Sequence, residues 1–187
     1  MMKLNKFVII IVVISCFATS VALADTKFEG MKNSLEEQAK MYNDRLSVLY
    51  VGAKQVGDML LGYKGILEFV MSDYELSENL SSFTNLPNWF YDASFSFSNA
   101  DMDKHVCFAC HVTFSQVWNF DPLKIKIGDY QLQVGDIISP SVSNPFGEFP
   151  SGTDGYFVFR VPRKVIKGKT TIEIAYENSK VTWKVIQ

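Results

Sequence analysis

Two histidines and three cysteines are the whole supply of imidazole and thiol in this chain of 187 residues. Metal and nucleophile chemistry is correspondingly narrow. The histidines lie close together while serines and aspartates are scattered, so neither a serine–histidine–acid set nor a carboxylate pair can be assembled. Hydrolase activity is not expected. Positive charge is not in excess either: Lys+Arg is 18 against Asp+Glu 20, a formal charge of −2, which gives no basis for a nucleic-acid partner. Beyond the first two dozen residues no apolar run approaches the ~20 residues that span a bilayer. Wholesale disorder is excluded by 48% hydrophobic and 20% charged residues.

What is plentiful is aromatic residues, with 15 Phe and 8 Tyr, a composition that favours strands and apolar contact surfaces. The length suits one domain, or one domain with a helical appendage.

Residues 1–24 read as an export signal. Lys3 and Lys6 precede the apolar run Phe7 to Ile14, and Ala22-Leu23-Ala24 supplies small residues at the −3 and −1 positions before Asp25. Cleavage there would remove both lysines and take the charge from −2 to −4. In a second reading Val13-Ile14-Ser15-Cys16 resembles a lipobox, with Cys16 as a lipid-anchored N-terminus. Either way the expected location is periplasmic, secreted or anchored at the envelope, with no transmembrane span in the mature chain. After cleavage at Ala24 the only remaining thiols are Cys107 and Cys110.

Residues 25–75 read as a helical segment. Met31, Leu35, Ala39, Tyr42, Leu46, Leu49, Ala53, Val56 and Leu60 recur at steps of three and four, and Ser34-x-x-Glu37 has the form of a capping box. The expectation is an amphipathic helix over 34–61, a stop near Gly62, and a second helical piece over Ile66–Met71. The spacing Gly57-x4-Gly62-Tyr63-Lys64 fails as a phosphate loop, because Lys must directly follow the second Gly and Ser/Thr must follow it.

Residues 76–92 form a polar connector, and from residue 93 the hydrophobic period changes to two. Ser94-Phe95-Ser96-Phe97-Ser98 alternates strictly. Leu123–Ile127 and Tyr130–Val134 flank Gly128-Asp129 as a hairpin, with Ile125, Ile127, Tyr130 and Leu132 on its buried face. Tyr156–Val161, Thr171–Tyr176 and Val181–Ile186 add further strands. With the segment around Val106–Phe114 this makes about seven strands in residues 93–187, the count of a two-sheet sandwich. The expected fold class is therefore α+β: an N-terminal amphipathic helix followed by an antiparallel, immunoglobulin-like β-sandwich. The long loop Ser139–Gly155 carries Phe146 and Phe149 and leads into Tyr156. These three residues form a candidate binding loop, or pin the loop onto the sheets.

One motif carries chemistry. Cys107-Phe108-Ala109-Cys110-His111 is C-x-x-C-H and resembles the attachment site of c-type cytochromes over five residues. The resemblance implies thioether links from Cys107 and Cys110 to haem c and an iron bond from His111. It pairs with a helix over Asn99–Val112, capped by Asn99. No Met or His follows His111 to serve as a downstream distal ligand. The same residues also alternate as a strand from His105 to Phe114. In that case Val106, Phe108, Cys110, Val112 and Phe114 face the core, while Cys107 and His111 face away. Haem attachment, a local disulfide and unlinked structural cysteines all remain open at this level. The functional expectation is an exported, non-enzymatic binding or assembly module of the bacterial cell envelope. It would need no cofactor and would partner an envelope protein or surface ligand. The rival is a monohaem c-type cytochrome or haem sensor.

Overall fold

The computed structural model describes residues 46–56, 59–72, 86–97, 101, 103–138 and 145–184. The export signal, Cys16, the Ser34 capping box, the part of the expected helix before residue 46 and most of the connector lie outside the described residues. Within them the chain is mostly β, antiparallel throughout, with one short α-helix. In chain order come β1 (Leu46–Val51), β2 (Lys54–Val56), β3 (Met59–Leu61), β4 (Gly65–Ser72) and α1 (Asn88–Ser94). Then follow β5 (His105–Phe114), β6 (Trp118–Phe120), β7 (Ile125–Ile127) and β8 (Tyr130–Gln131). The last are β9 (Gly147–Phe149), β10 (Asp154–Pro162), β11 (Thr171–Tyr176) and β12 (Ser179–Lys184).

Two four-stranded sheets, ordered β1-β4-β5-β10 and β12-β11-β7-β8, are accompanied by the pairs β2-β3 and β6-β9. A single apolar cluster joins the inner faces of the larger sheets. Leu49, Leu67, Phe69, Phe108, Cys110, Phe157 and Phe159 come from the first sheet; Ile127, Ile174, Tyr176 and Trp183 come from the second. Phe108 lies parallel to Phe159 at 5.3 Å and edge-on to Trp183 at 5.8 Å, a contact that crosses between the sheets.

The helix expected over 34–61 is a correction. Its described part, and the expected helical piece over Ile66–Met71, are the strands β1 to β4. The reason is that β1 and β4 are covered on both faces. Leu49 and Val51 enter the inter-sheet cluster, while Leu46 packs in a second cluster on the outer face, with Val48 against it. A strand buried on both sides has no polar alternation, so its apolar residues fall at helical spacings as readily as at a period of two. Two of the glycines that would burden a helix, Gly52 and Gly62, instead take positive φ just past β1 and β3, at 76° and 68°.

The second correction lies at 94–97, Ser98 lying outside the described residues. Rather than a strand, Ser94 ends α1 and Phe95 to Phe97 form a turn, with Phe95 80% exposed and Phe97 buried. The governing period is helical: Phe90, Ala93 and Phe97 are spaced by three and four and are all buried against the first sheet.

The hairpin's tip and facing stand as expected, on strands shorter than the expected Leu123–Ile127 and Tyr130–Val134, because Leu123 and Lys124 lie in one 3-10 turn and Val134 opens another. Ile127 pairs with Tyr130 across Gly128-Asp129, Gly128 takes φ 58°, Ile125, Ile127 and Leu132 are buried, and Lys124 and Lys126 are exposed. Thr171–Tyr176 is a strand over the residues expected, Tyr156–Val161 lies within β10, and the final strand begins two residues earlier, at Ser179.

Candidate functional site

β5 is an inner strand of the first sheet, paired along its length with β4 on one side and β10 on the other. The C-x-x-C-H motif therefore sits in a regular strand, and the strand's period of two sends its residues to opposite faces. Cys110 points inward to the inter-sheet cluster, between Phe69 and Phe157 in register. Cys107 points to the outer face with Ala109.

That outer face is not solvent. α1 lies over it, and Phe90, Ala93 and Phe97 close a cluster with Leu46, Val70, Cys107, Ala109 and Val158. The expectation that Cys107 would be exposed is thus corrected: Cys107 and Cys110 are both fully buried. A period-two strand predicts which side a residue faces, but not what covers that side. Burial pushes the Cys107 thiol up to about 12, with Arg160 opposing slightly. Burial, with Glu68 adding to it, holds Cys110 well above its ordinary value. Neither is a reactive thiolate at neutral pH.

The linked alternatives do not fit this strand. Residues three apart along it are separated by roughly 10 Å and point to opposite sides, beyond the ~7 Å reach of a disulfide. Haem attachment requires both thiols and the following imidazole on one side. Here Cys110 is on the far face of the sheet, and the expected helix over Asn99–Val112 is instead β5 from His105 onward.

His111 is where the polar groups converge. Its Nδ1 lies 2.7 Å from Glu68 Oε2 and its Nε2 2.9 Å from Asp154 Oδ2. Glu68 comes from β4 and stands directly opposite His111 in register, and Asp154 opens β10. Trp89 of α1 stacks on the imidazole at 5.2 Å with an interplanar angle of 14°. The His111 and Glu68 side chains are 14% and 11% exposed, whereas that of Asp154 is 66% exposed. A ring facing an acceptor at each nitrogen donates at both only as the imidazolium. Burial works against that charge, but hydrogen bonds to Glu68 and Asp154 outweigh it, so the His111 pKa is raised. Among the described residues, no group of His, Cys, Asp and Glu is arranged to hold a metal ion.

Glu68, Asp154 and Trp89 were not singled out from sequence. Glu68 had a signal: one acid inside Gly-Ile-Leu-Glu-Phe-Val-Met must find a partner if that run is buried. Asp154, in a glycine-containing loop, and Trp89 gave none.

The candidate loop residues separate. Phe149 belongs to β9, pairs with Trp118, and stacks on Phe114 at 4.4 Å and 12° against the inter-sheet cluster. Tyr156 lies on the outer face beside His111 in register. Both line an apolar cavity of about 30 Å³ with Pro145, too small for more than a water or two. Phe146 is half-buried just before β9. Comparison with protein-family models, with curated proteins and with solved structures finds no match to this chain, so the local geometry carries the functional reading.

Proposed function

We propose that the chain is an exported, non-enzymatic binding or assembly module of a bacterial cell envelope, carried on an immunoglobulin-like β-sandwich. The sandwich reading is supported by the shared inter-sheet cluster and by the antiparallel pairing in both large sheets. The observation that carries the functional reading is that the motif's chemistry is spent internally. Cys107 and Cys110 are buried on opposite faces, and His111 has a carboxylate at each nitrogen. Chemically capable side chains used this way stabilise a scaffold, and recognition then falls to loops and surface. The partner would be an envelope protein or a surface ligand, met at the loop end that holds Phe146.

The test is expression in a host with both export and haem-maturation machinery, followed by intact mass and a visible spectrum. The expected product is colourless, begins at Asp25 and carries no haem increment. A covalent adduct with a Soret band overturns the reading. A photo-crosslinking residue in place of Phe146 should give discrete adducts to one envelope component in intact cells. If neither that position nor the exposed Phe95 and Val117 gives any, the binding role fails.

A further inference from the structure

We propose that Glu68, His111 and Asp154, with Trp89 stacked on the imidazole, form a proton-dependent latch. The latch holds α1 over the outer face of the first sheet and loosens as the pH rises, uncovering Val70, Cys107, Ala109 and Val158.

α1 has little of its own to hold it. It is seven residues long, its N-cap is Pro87 with no side-chain capping bond, and it has no acid in its first turn and no base in its last. A helix of that length does not persist without packing. Phe90 and Ala93, with Phe97 just past its end, pack on the apolar strip with Tyr91 against them, and Trp89 adds its stack on His111.

The His111 attachment depends on one proton. As an imidazolium, the ring donates to Glu68 and to Asp154, and its charge lies within 5.2 Å of the indole centroid, inside cation–π range. On losing the proton it keeps one N–H. Glu68, the more buried carboxylate, retains that bond because an unsatisfied buried charge is costly. The Nε2 lone pair then faces the Asp154 oxygen, and the cation over Trp89 is gone. Two of the three attachments, the bond to Asp154 and the charge over Trp89, are lost in one titration.

Among the described residues the groups around His111 are few. β4 presents Glu68; β10 presents Asp154 and, directly opposite, Tyr156; β1 presents the apolar Val48 beside Glu68. α1 carries Trp89, Tyr91 and an exposed Asp92. No Lys or Arg among these replaces the imidazolium once it is lost. The raised pKa of His111 agrees in sign, since the closed state favours the proton.

Cys107 reports the opening and Cys110 is its internal control. The full chain is reacted with methyl methanethiosulfonate from pH 6 to pH 9, with site-resolved mass spectrometry. Each rate is divided by that of an unstructured cysteine peptide at the same pH, which removes thiol ionisation. The expected result is at least a tenfold rise in the Cys107 ratio, with the Cys110 ratio unchanged. His111→Gln should raise the Cys107 ratio at every pH and abolish the rise. Asp154→Asn alters an exposed side chain that the fold tolerates, and offers Nε2 a donor, so it should blunt the rise severalfold. A flat Cys107 ratio in the unaltered chain overturns the latch. So does a rise that survives both substitutions, or a parallel rise at Cys110, which would mean the whole core opens rather than α1.

Discussion

Substituting serine at each cysteine separates the two faces of β5. At position 110 the new hydroxyl enters the inter-sheet cluster with Phe69 and Phe157 in register on either side. Among the described residues the thiol's polar contact there is the His111 carbonyl at 3.9 Å, workable for sulfur and too long for a hydroxyl. An unpaired hydroxyl in such a place costs about 2–3 kcal/mol. At position 107 the register neighbours are Ser72 on β4 and Arg160 on β10, both able to meet a hydroxyl, so the cost should be nearer ~1 kcal/mol. For a chain of this length the difference corresponds to roughly 2–8 °C in Tm. Urea unfolding followed by circular dichroism measures it, with Cys110→Ala as the control for lost sulfur contacts. Cys110→Ser should be the least stable of the three. The reasoning fails if Cys110→Ser is as mild as Cys107→Ser, or no worse than Cys110→Ala, because polarity would then not be the cost.

Other consequences follow from particular contacts. Gly65→Ala would place a Cβ 2.6 Å from the Thr113 carbonyl oxygen and 2.9 Å from the Trp118 ring. A loss of about 2–3 kcal/mol is expected by chemical denaturation, because the nearest obstacle is backbone. For His111 the folded pKa lies above the ordinary 6.5, so its contribution to stability is complete below about pH 6.5 and is lost as pH rises through the folded value. Unfolding free energy measured from pH 6 to 9 should fall in the unaltered chain and fall less in His111→Gln. Removing residues 1–82 strips Leu49, Val51, Leu67, Phe69 and Met71 from the inter-sheet cluster. The remaining chain should lose cooperative thermal unfolding, and a sharp transition would show that the later strands hold a core alone.

The parts of the fold legible in sequence are those with one wet face. Lys124 and Lys126 alternate with Ile125 and Ile127, and β11 reads Thr-Ile-Glu-Ile-Ala-Tyr with the apolar residues turned inward. There the polar residues mark the period, and a tolerant glycine marks the turn. β4 has no such marks, since all eight of its residues are buried, and the same is nearly true of β1. A covering element on the second face erases the period-two signal, and that element, α1, was itself obscured by the serine–phenylalanine alternation at its end.

The site shows the same limit in chemical terms. C-x-x-C-H is a statement of spacing, and spacing becomes chemistry only after the backbone decides direction. On a helix, steps of three and four gather the two thiols and the imidazole on one side. On β5 the same steps divide them, sending Cys110 into the inter-sheet core and leaving Cys107 and His111 on the outer face. His111 then finds its partners across strands, each 43 residues away in sequence, at Glu68 and Asp154. No local motif can encode such a pair. What the sequence offers is a lone acid in a buried run and a lone base in another, and charge burial requires that they meet. Matching isolated ionisable residues between apolar strands is therefore the reading that would have found this cluster, and the C-x-x-C-H spacing is not.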